Sequence, residues 1–312
     1  VNAWGLPFTC TMVGAKQVHP GPHLAPDKLL DLYIKEGVTV SAGVPTIWMG
    51  ILKALQAEPD RWRIRDEGMR MIVGGSAAPV SMIRAMDAVK MKVIHAWGMT
   101  ETTPLGSVSL LQPRHASLSE DAQLAIRAKQ GTATPFVDMR LRDDDGNEVP
   151  WDGRSMGELQ VRGPWIAASY FNVADRSKWT DDGWFRTGDV VTIDEQGYMQ
   201  ITDRTKDLVK SGGEWISSVA LENALMGHPA LAEAAVIAIP HDKWAERPLA
   251  VVVPKEGAAV PDKSALDRFL TDLGFASWWL PDGYVSRDTI PRGATGKFLK
   301  RQLREELAGW KA

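Results

Sequence analysis

A chain of 312 residues is longer than one average domain and points to two or three units of ordinary size. Its 44% hydrophobic and 24% charged residues allow a buried core and set aside a disordered chain, and a net charge of −3 lacks the basic excess of a general nucleic-acid binder. A single cysteine, Cys10, excludes an internal disulfide framework and fits a reducing compartment; its side chain is expected to be a small buried hydrophobe. No apolar run reaches the roughly 18–20 residues of a membrane span, and no basic-then-apolar leader opens the chain, so a cytoplasmic protein is expected. Val1–Val13, apolar and aromatic with Trp4 and Phe8, starts without an initiator Met. It reads as the interior of a domain, and hence as part of a longer protein.

From Asp27 to about Val93 the pattern alternates between helix and strand. Asp27 can cap a helix that carries Leu29, Leu30, Tyr33 and Ile34 on one face and stops at Gly37. A strand over Val38–Val44, a helix over Thr46–Ala57 and a strand over Met69–Val73 ending at Gly74-Gly75 follow. Then come a helix over Pro79–Val89 and a strand over Met91–His95. Alternation at these lengths predicts a parallel sheet with crossover helices. The polar stretch Gln112–Lys129 reads as a change of character. Beyond it, Val137–Arg142, Gly157–Arg162, Asp189–Asp194 and Tyr198–Thr202 alternate apolar and polar residues around Asp- and Gly-rich turns, which predicts a small antiparallel, barrel-like unit. From Asp203 onward, helices over Ser218–Met226, Lys263–Leu273 and Phe298–Leu307 mix with strands over Ala234–Ile239 and Leu249–Val253. The fold class is therefore α/β in three parts: a partial parallel α/β subdomain (residues 1–130), a barrel-like subdomain (131–203) and an α+β domain (204–312).

Four stretches carry candidate chemistry. The run His95-Ala96-Trp97-Gly98-Met99-Thr100-Glu101 leaves a strand where ligand crevices of parallel sheets open. Gly98 lets the backbone pass close to a ligand, Thr100 offers a hydroxyl to a phosphate, Glu101 a carboxylate to Mg²⁺, and Trp97 a flat apolar wall. A plain strand exit with a solvated Glu is the other reading. In Thr187-Gly188-Asp189 a carboxylate after a glycine turn can accept two ribose hydroxyls, or be an ordinary turn Asp. Across Ile201–Trp215, Arg204 suits ribose or phosphate and Lys206 a hinge, unless this is a solvated linker. In Pro291–Lys297 the glycine spacing departs from a phosphate loop and Phe298 replaces its Ser or Thr. Lys297 is either a point charge brought to a developing negative centre or a surface lysine of the last helix.

In this order and spacing, the four stretches resemble the adenylate-forming superfamily of acyl-CoA synthetases, luciferases and peptide-synthetase adenylation domains. Gly74-Gly75-Ser76-Ala77-Ala78-Pro79 resembles another segment of that family. Asn2–Pro7, the HAWGMTE run and Ser211–Ser217 resemble its medium- and long-chain fatty acyl-CoA synthetase branch. The resemblance implies ATP, Mg²⁺ and coenzyme A as ligands and a carboxylic acid, most naturally a fatty acid, as substrate. It implies that Gly75, Ser76, Ala77, His95, Ala96, Trp97 and Gly98 line the adenine and acyl site, that Thr100 meets phosphate, and that Glu101 holds Mg²⁺. It further implies Asp189 and Arg204 on the ribose, Ile201 beside adenine, Lys206 as hinge, and Lys297 on the charge between carboxylate and α-phosphate. The last domain then acts as a lid with two positions, its second bringing Gly212, Gly213 and Glu214 to pantetheine, with Trp215 either an acyl-tunnel gate or a packed core residue. A homodimer is common in that branch. The family's Lys-bearing phosphate loop is missing from this sequence and would lie upstream of Val1, so the chain by itself is expected to adenylate weakly or not at all. A ligase for a short or methylthio acid, a loader of carrier-protein thiols and a non-catalytic nucleotide- or CoA-binding module are the alternatives.

Overall fold

Proline opens and glycine closes the first long helix. In the computed structural model, which describes residues 2–75, 78–293 and 298–310, α1 (Leu6–Met12) precedes α2 (Pro26–Glu36). Pro26 follows the N-cap Ala25, where a missing N–H costs nothing, and Gly37 takes φ 62°, the left-handed cap. Asp27 is thus not the cap but an acid of the first turn, favourable against the helix dipole. α1 buries none of its residues: Phe8, Met12 and Val13 are exposed, and Cys10, expected to be buried, is only partly covered.

The chain divides into two units, Val1–Thr187 with Val191–Ile201, and Gly188–Val190 with Thr202–Ala312. In the first, β1 (Val40–Gly43), α3 (Pro45–Ala57), β2 (Met69–Val73), α4 (Val80–Ala88) and β3 (Met91–Trp97) alternate. The three strands are parallel, with Gly43, Val73 and His95 in register at their C-terminal ends. Met69, Met71, Val73, Met91 and Val93 point to one face and join Leu30, Ile51 and Ile83 in a core. Each such side chain contributes about 1.5–3 kcal/mol by leaving water. β4 (Ser107–Val108) and β5 (Thr132–Ala133) extend the sheet antiparallel. Between them α5 (Glu120–Ala128), capped by Ser119, occupies part of the polar stretch Gln112–Lys129, for which no helix was expected. Only Leu124 of α5 is buried, too little for a visible apolar stripe.

A second sheet has the order β6 (Asp138–Arg142), β7 (Gly157–Arg162), β8 (Phe185–Ile193), β9 (Met199–Arg204). It is open, not the barrel the alternation suggested. Gln130 and Gly131 take the outer edge of β9: Gln130 N–H donates to the Met199 carbonyl at 3.0 Å, and Met199 N–H to the Gly131 carbonyl at 2.8 Å. Those groups would otherwise be available to close the sheet on β6.

The second unit has β10 (Val209–Ser211), β11 (Glu214–Ile216), α6 (Ser218–Met226), β12 (Leu231–His241), β13 (Ala245–Pro254), α7 (Lys263–Asp272), β14 (Gly283–Ser286) and α8 (Lys300–Glu306). Its sheet runs β11-β10-β13-β12, with β14 parallel to β13. Alternation sends Val236, Ala250 and Val252 to Leu221, Leu225, Leu266 and Leu270, and sends Ile237, Leu249 and Val251 to Leu303 of α8. Both faces are therefore covered. Among the described residues no helix is long and apolar enough to cross a membrane.

Candidate active site

The parallel strands of the first unit end at one edge, and several expected residues meet there. Val73 is in register with His95, so Gly74-Gly75 leaves β2 beside Ala96 and Trp97. Gly75 has φ 84°, a conformation that favours glycine. Ser76, Ala77 and Lys297 lie outside the described residues.

His95 is buried, and both ring nitrogens face the protein. Nδ1 lies 3.0 Å from the Ala128 carbonyl and Nε2 3.3 Å from the Gln130 side-chain nitrogen, while Gln130 Oε1 accepts Ile201 N–H at 2.6 Å. One tautomer satisfies the whole relay: Nδ1–H donates to Ala128 and Nε2 accepts from Gln130. His95 and Ile201 are thus joined through Gln130, which the sequence did not single out. Trp97 is buried against Val137, Leu159 and Met199, a packed core ring in this unit.

Gly98 is needed for a reason other than ligand approach. A Cβ there would stand 1.7 Å from the Pro104 carbonyl oxygen, so the turn after β3 closes only over glycine. Thr102 pins that turn: Met99 N–H donates to its Oγ1 at 2.9 Å, and the hydroxyl donates to the Pro104 carbonyl at 2.7 Å. The outcome is an exposed Thr100 next to a half-buried Glu101. Tyr170 Oη donates to Glu101 Oε1 at 2.6 Å, and Ala167 N–H to the Glu101 carbonyl at 2.8 Å. The carboxylate holds the phenol in its protonated form, pushing its pKa up to about 12. Glu101 Oε2 has no partner among the described residues.

In the second unit, Asp189 is buried on β8 and lies 3.3 Å from Arg204 Nε, the arginine side chain being half exposed. Thr205 locks the two strands here, its N–H and Oγ1 both donating to the Gly188 carbonyl, at 2.9 and 3.1 Å. Asp203 faces inward and accepts Arg204 N–H at 2.7 Å and Ser218 N–H at 2.6 Å. Burial raises its pKa. Lys206 is exposed, one residue before Asp207, which Arg304 of α8 grips at 3.0 Å.

Gly212 and Gly213, at φ 62° and 89°, form the two-residue turn of the β10–β11 hairpin, where side-chain-bearing residues are strained. A Cβ on Gly212 would meet the Trp244 ring at 2.9 Å. Trp215 is half-buried opposite Lys210, whose Nζ lies 5.6 Å from the ring centroid; it is not a fully packed core residue. Beside the turn, Gly212 and Glu214 line a cleft of about 510 Å³ with Trp244, Arg247 and Trp278. These last three escaped the sequence reading. Arg247 is consumed structurally, donating to Asp282 at 2.8 Å and to the Leu280 carbonyl at 2.9 Å.

A buried ionic group was missed as well. Lys300 Nζ lies 2.7 Å from Glu222 Oε1 and donates to Ser218 Oγ at 2.6 Å, and Val236 N–H donates to Glu222 Oε1 at 2.7 Å. Burial pushes the Glu222 carboxyl up to about 7 despite the opposing Lys300 charge.

Among the described residues no three His, Cys, Asp or Glu side chains cluster as a metal cage. Mg²⁺ does not require one, since it binds through one or two carboxylates plus substrate phosphates and waters. Glu101, held by one oxygen and open at the other, fits that share.

Comparison with known proteins shows the family. Residues 1–171 match the AMP-binding enzyme family, and residues 220–297 match the AMP-binding enzyme C-terminal domain. The chain is 51% identical to a long-chain-fatty-acid–CoA ligase of Thermus thermophilus, over 99% of this chain and 57% of that protein. It is 46% identical to a 3-methylmercaptopropionyl-CoA ligase of Ruegeria lacuscaerulensis, over 98% and 56%. The crystal structure of ATP-bound MatB from Rhodopseudomonas palustris superposes with a TM-score of 0.75 at 30% identity, over 91% of this chain and 53% of that one. The chain therefore spans little more than half the length of the curated relatives it matches. With more than half of its residues under the first of these models and most of its last third under the second, the chain belongs to the AMP-binding enzyme family.

Proposed function

We propose that this chain carries the C-terminal share of an ATP-dependent acid–CoA ligase acting on a fatty acid in the cytoplasm. The observation that carries the reading is the C-terminal edge of β1–β3, where an exposed Thr100 adjoins a Glu101 with one carboxylate oxygen open. That is what a phosphate-bound Mg²⁺ needs from a protein. The boundaries near residues 130 and 204 belong to the same reading.

A carboxylate is a poor acyl donor because its leaving group is poor. Its oxygen attacks the α-phosphorus of ATP, the bond to the β-phosphate breaks, and pyrophosphate leaves. The thiolate of coenzyme A then attacks the acyl carbon, and AMP leaves with the bonding pair. Bound Mg²⁺ supplies charge neutralisation on the phosphates. Glu101 holds the ion, and Thr100 donates to a phosphate oxygen. Asp189 accepts ribose hydroxyls while Arg204 steadies that carboxylate and the sugar. Lys297 offsets charge between the two anions during the first step. Gly212, Gly213 and Glu214, with the cleft beside them, serve the thiol partner in the second.

The test is AMP release by the full-length protein over acids of rising chain length, with and without coenzyme A. Release that requires coenzyme A and peaks with medium or long acids supports the reading. A peak at a methylthio-propionate favours the second reading, which the Ruegeria relative supports. Pyrophosphate exchange with no coenzyme-A-dependent turnover contradicts both.

A further inference from the structure

A carboxylate that must offer one oxygen to a metal needs its other oxygen held, or it rotates among orientations. Glu101 has one such restraint. The segment around Trp165–Tyr170 is stitched to the turn after β3 at several points. Ala167 N–H donates to the Glu101 carbonyl at 2.8 Å. Thr103 Oγ1 donates to the Trp165 carbonyl at 2.8 Å, and Trp165 Nε1 to the Leu105 carbonyl at 3.3 Å. Trp179 Nε1 donates to the Ala167 carbonyl at 2.8 Å, and its ring meets that of Tyr170 edge-on at 5.2 Å. Backbone and aromatic contacts thus fix both the main chain of Glu101 and the ring of Tyr170. What the hydroxyl adds is one 2.6 Å bond to Glu101 Oε1.

We infer that Tyr170 is a positioning residue for adenylation, its hydroxyl holding Glu101 so that the free carboxylate oxygen is presented to Mg²⁺. The inference rests on Glu101 as the metal-holding group. A purely structural tyrosine would act through its ring, which the contacts with Trp179 already secure and which phenylalanine retains. Removing the hydroxyl leaves Glu101 charged and in place but free to turn. Its affinity for the ion falls, while the second half-reaction, in which no pyrophosphate departs, is spared.

The experiment is a Mg²⁺ titration of acyl-adenylate formation in the full-length protein carrying Tyr170→Phe, with Glu101→Gln in parallel. Thioester formation from supplied acyl-adenylate is measured in both. We expect the Mg²⁺ midpoint of Tyr170→Phe to rise about 10-fold, the loss typical of an outer-shell partner. Its rate should recover at saturating Mg²⁺, and its thioester step should be unchanged. If Glu101→Gln shifts the midpoint and Tyr170→Phe does not, the positioning role is wrong while the metal role of Glu101 survives. If neither shifts it, the metal role falls and takes the positioning role with it. Equal losses in both half-reactions assign Tyr170 to packing and overturn the inference.

Discussion

Glu101 in the first unit and Glu222 in the second are the same residue type in opposite circumstances. Glu101 is half-buried, receives one hydroxyl and keeps an oxygen open; Glu222 is buried and bound by a backbone N–H and an ammonium. Asp203 sides with Glu222, both of its oxygens being taken by backbone N–H groups. A half-buried carboxylate with an oxygen left over is open to a ligand, whereas burial beside a cation or backbone donors ties Glu222 and Asp203 to the fold.

The sharpest way to break this contrast is Lys300→Met. It leaves Glu222 without its cation, and at pH 8 we expect a loss of about 3–5 kcal/mol in chemical unfolding, shrinking at lower pH as Glu222 takes up a proton. A loss independent of pH would place the effect in packing. Next in size is Gly98→Ala. The new Cβ collides with the Pro104 carbonyl and displaces the Thr100–Glu101 turn, so adenylate formation should fall on the order of 100-fold in single-turnover assays. A near-normal rate would show that the turn yields without moving Glu101.

A smaller effect follows from titration of Glu222. Its carboxyl is raised from 4.5 to about 7 in the folded protein, so the folded state binds the extra proton. The stability it confers is complete below about 4.5 and disappears as pH rises through about 7. Glu222→Gln should flatten that decline in the unfolding midpoint. The smallest effect belongs to Arg301→Ala, next to Lys300 but paired on the surface with Glu305. It should leave the unfolding midpoint where it was.

Period-two and period-3.6 patterns made much of the frame legible. β2 and β7 fall where Met69–Val73 and Gly157–Arg162 alternate, and α6 spans Ser218–Met226 as expected. α5 was hidden because it buries one leucine, and the open edge of the second sheet depended on Gln130 and Gly131 reaching β9 from outside it. The candidate site was open to proposal where chemistry is local in sequence, as in Thr100-Glu101 or Gly212-Gly213-Glu214. It was illegible where partners are distant. Tyr170 lies 69 residues from Glu101, and Lys300 lies 82 from Ser218, so no spacing rule connects them. Trp97 read as a ligand wall because an aromatic at a strand end has the same signature whether it faces a crevice or the core.

Glu101, on this reading, is kept for a ligand and not for the fold. Glu101→Gln, which preserves shape and removes charge, tests this when unfolding midpoint and acyl-adenylate formation are measured on one full-length preparation. We expect an unchanged midpoint with adenylation lower on the order of 100-fold. A fallen midpoint with adenylation lost only in proportion, or normal adenylation at limiting Mg²⁺, would contradict it.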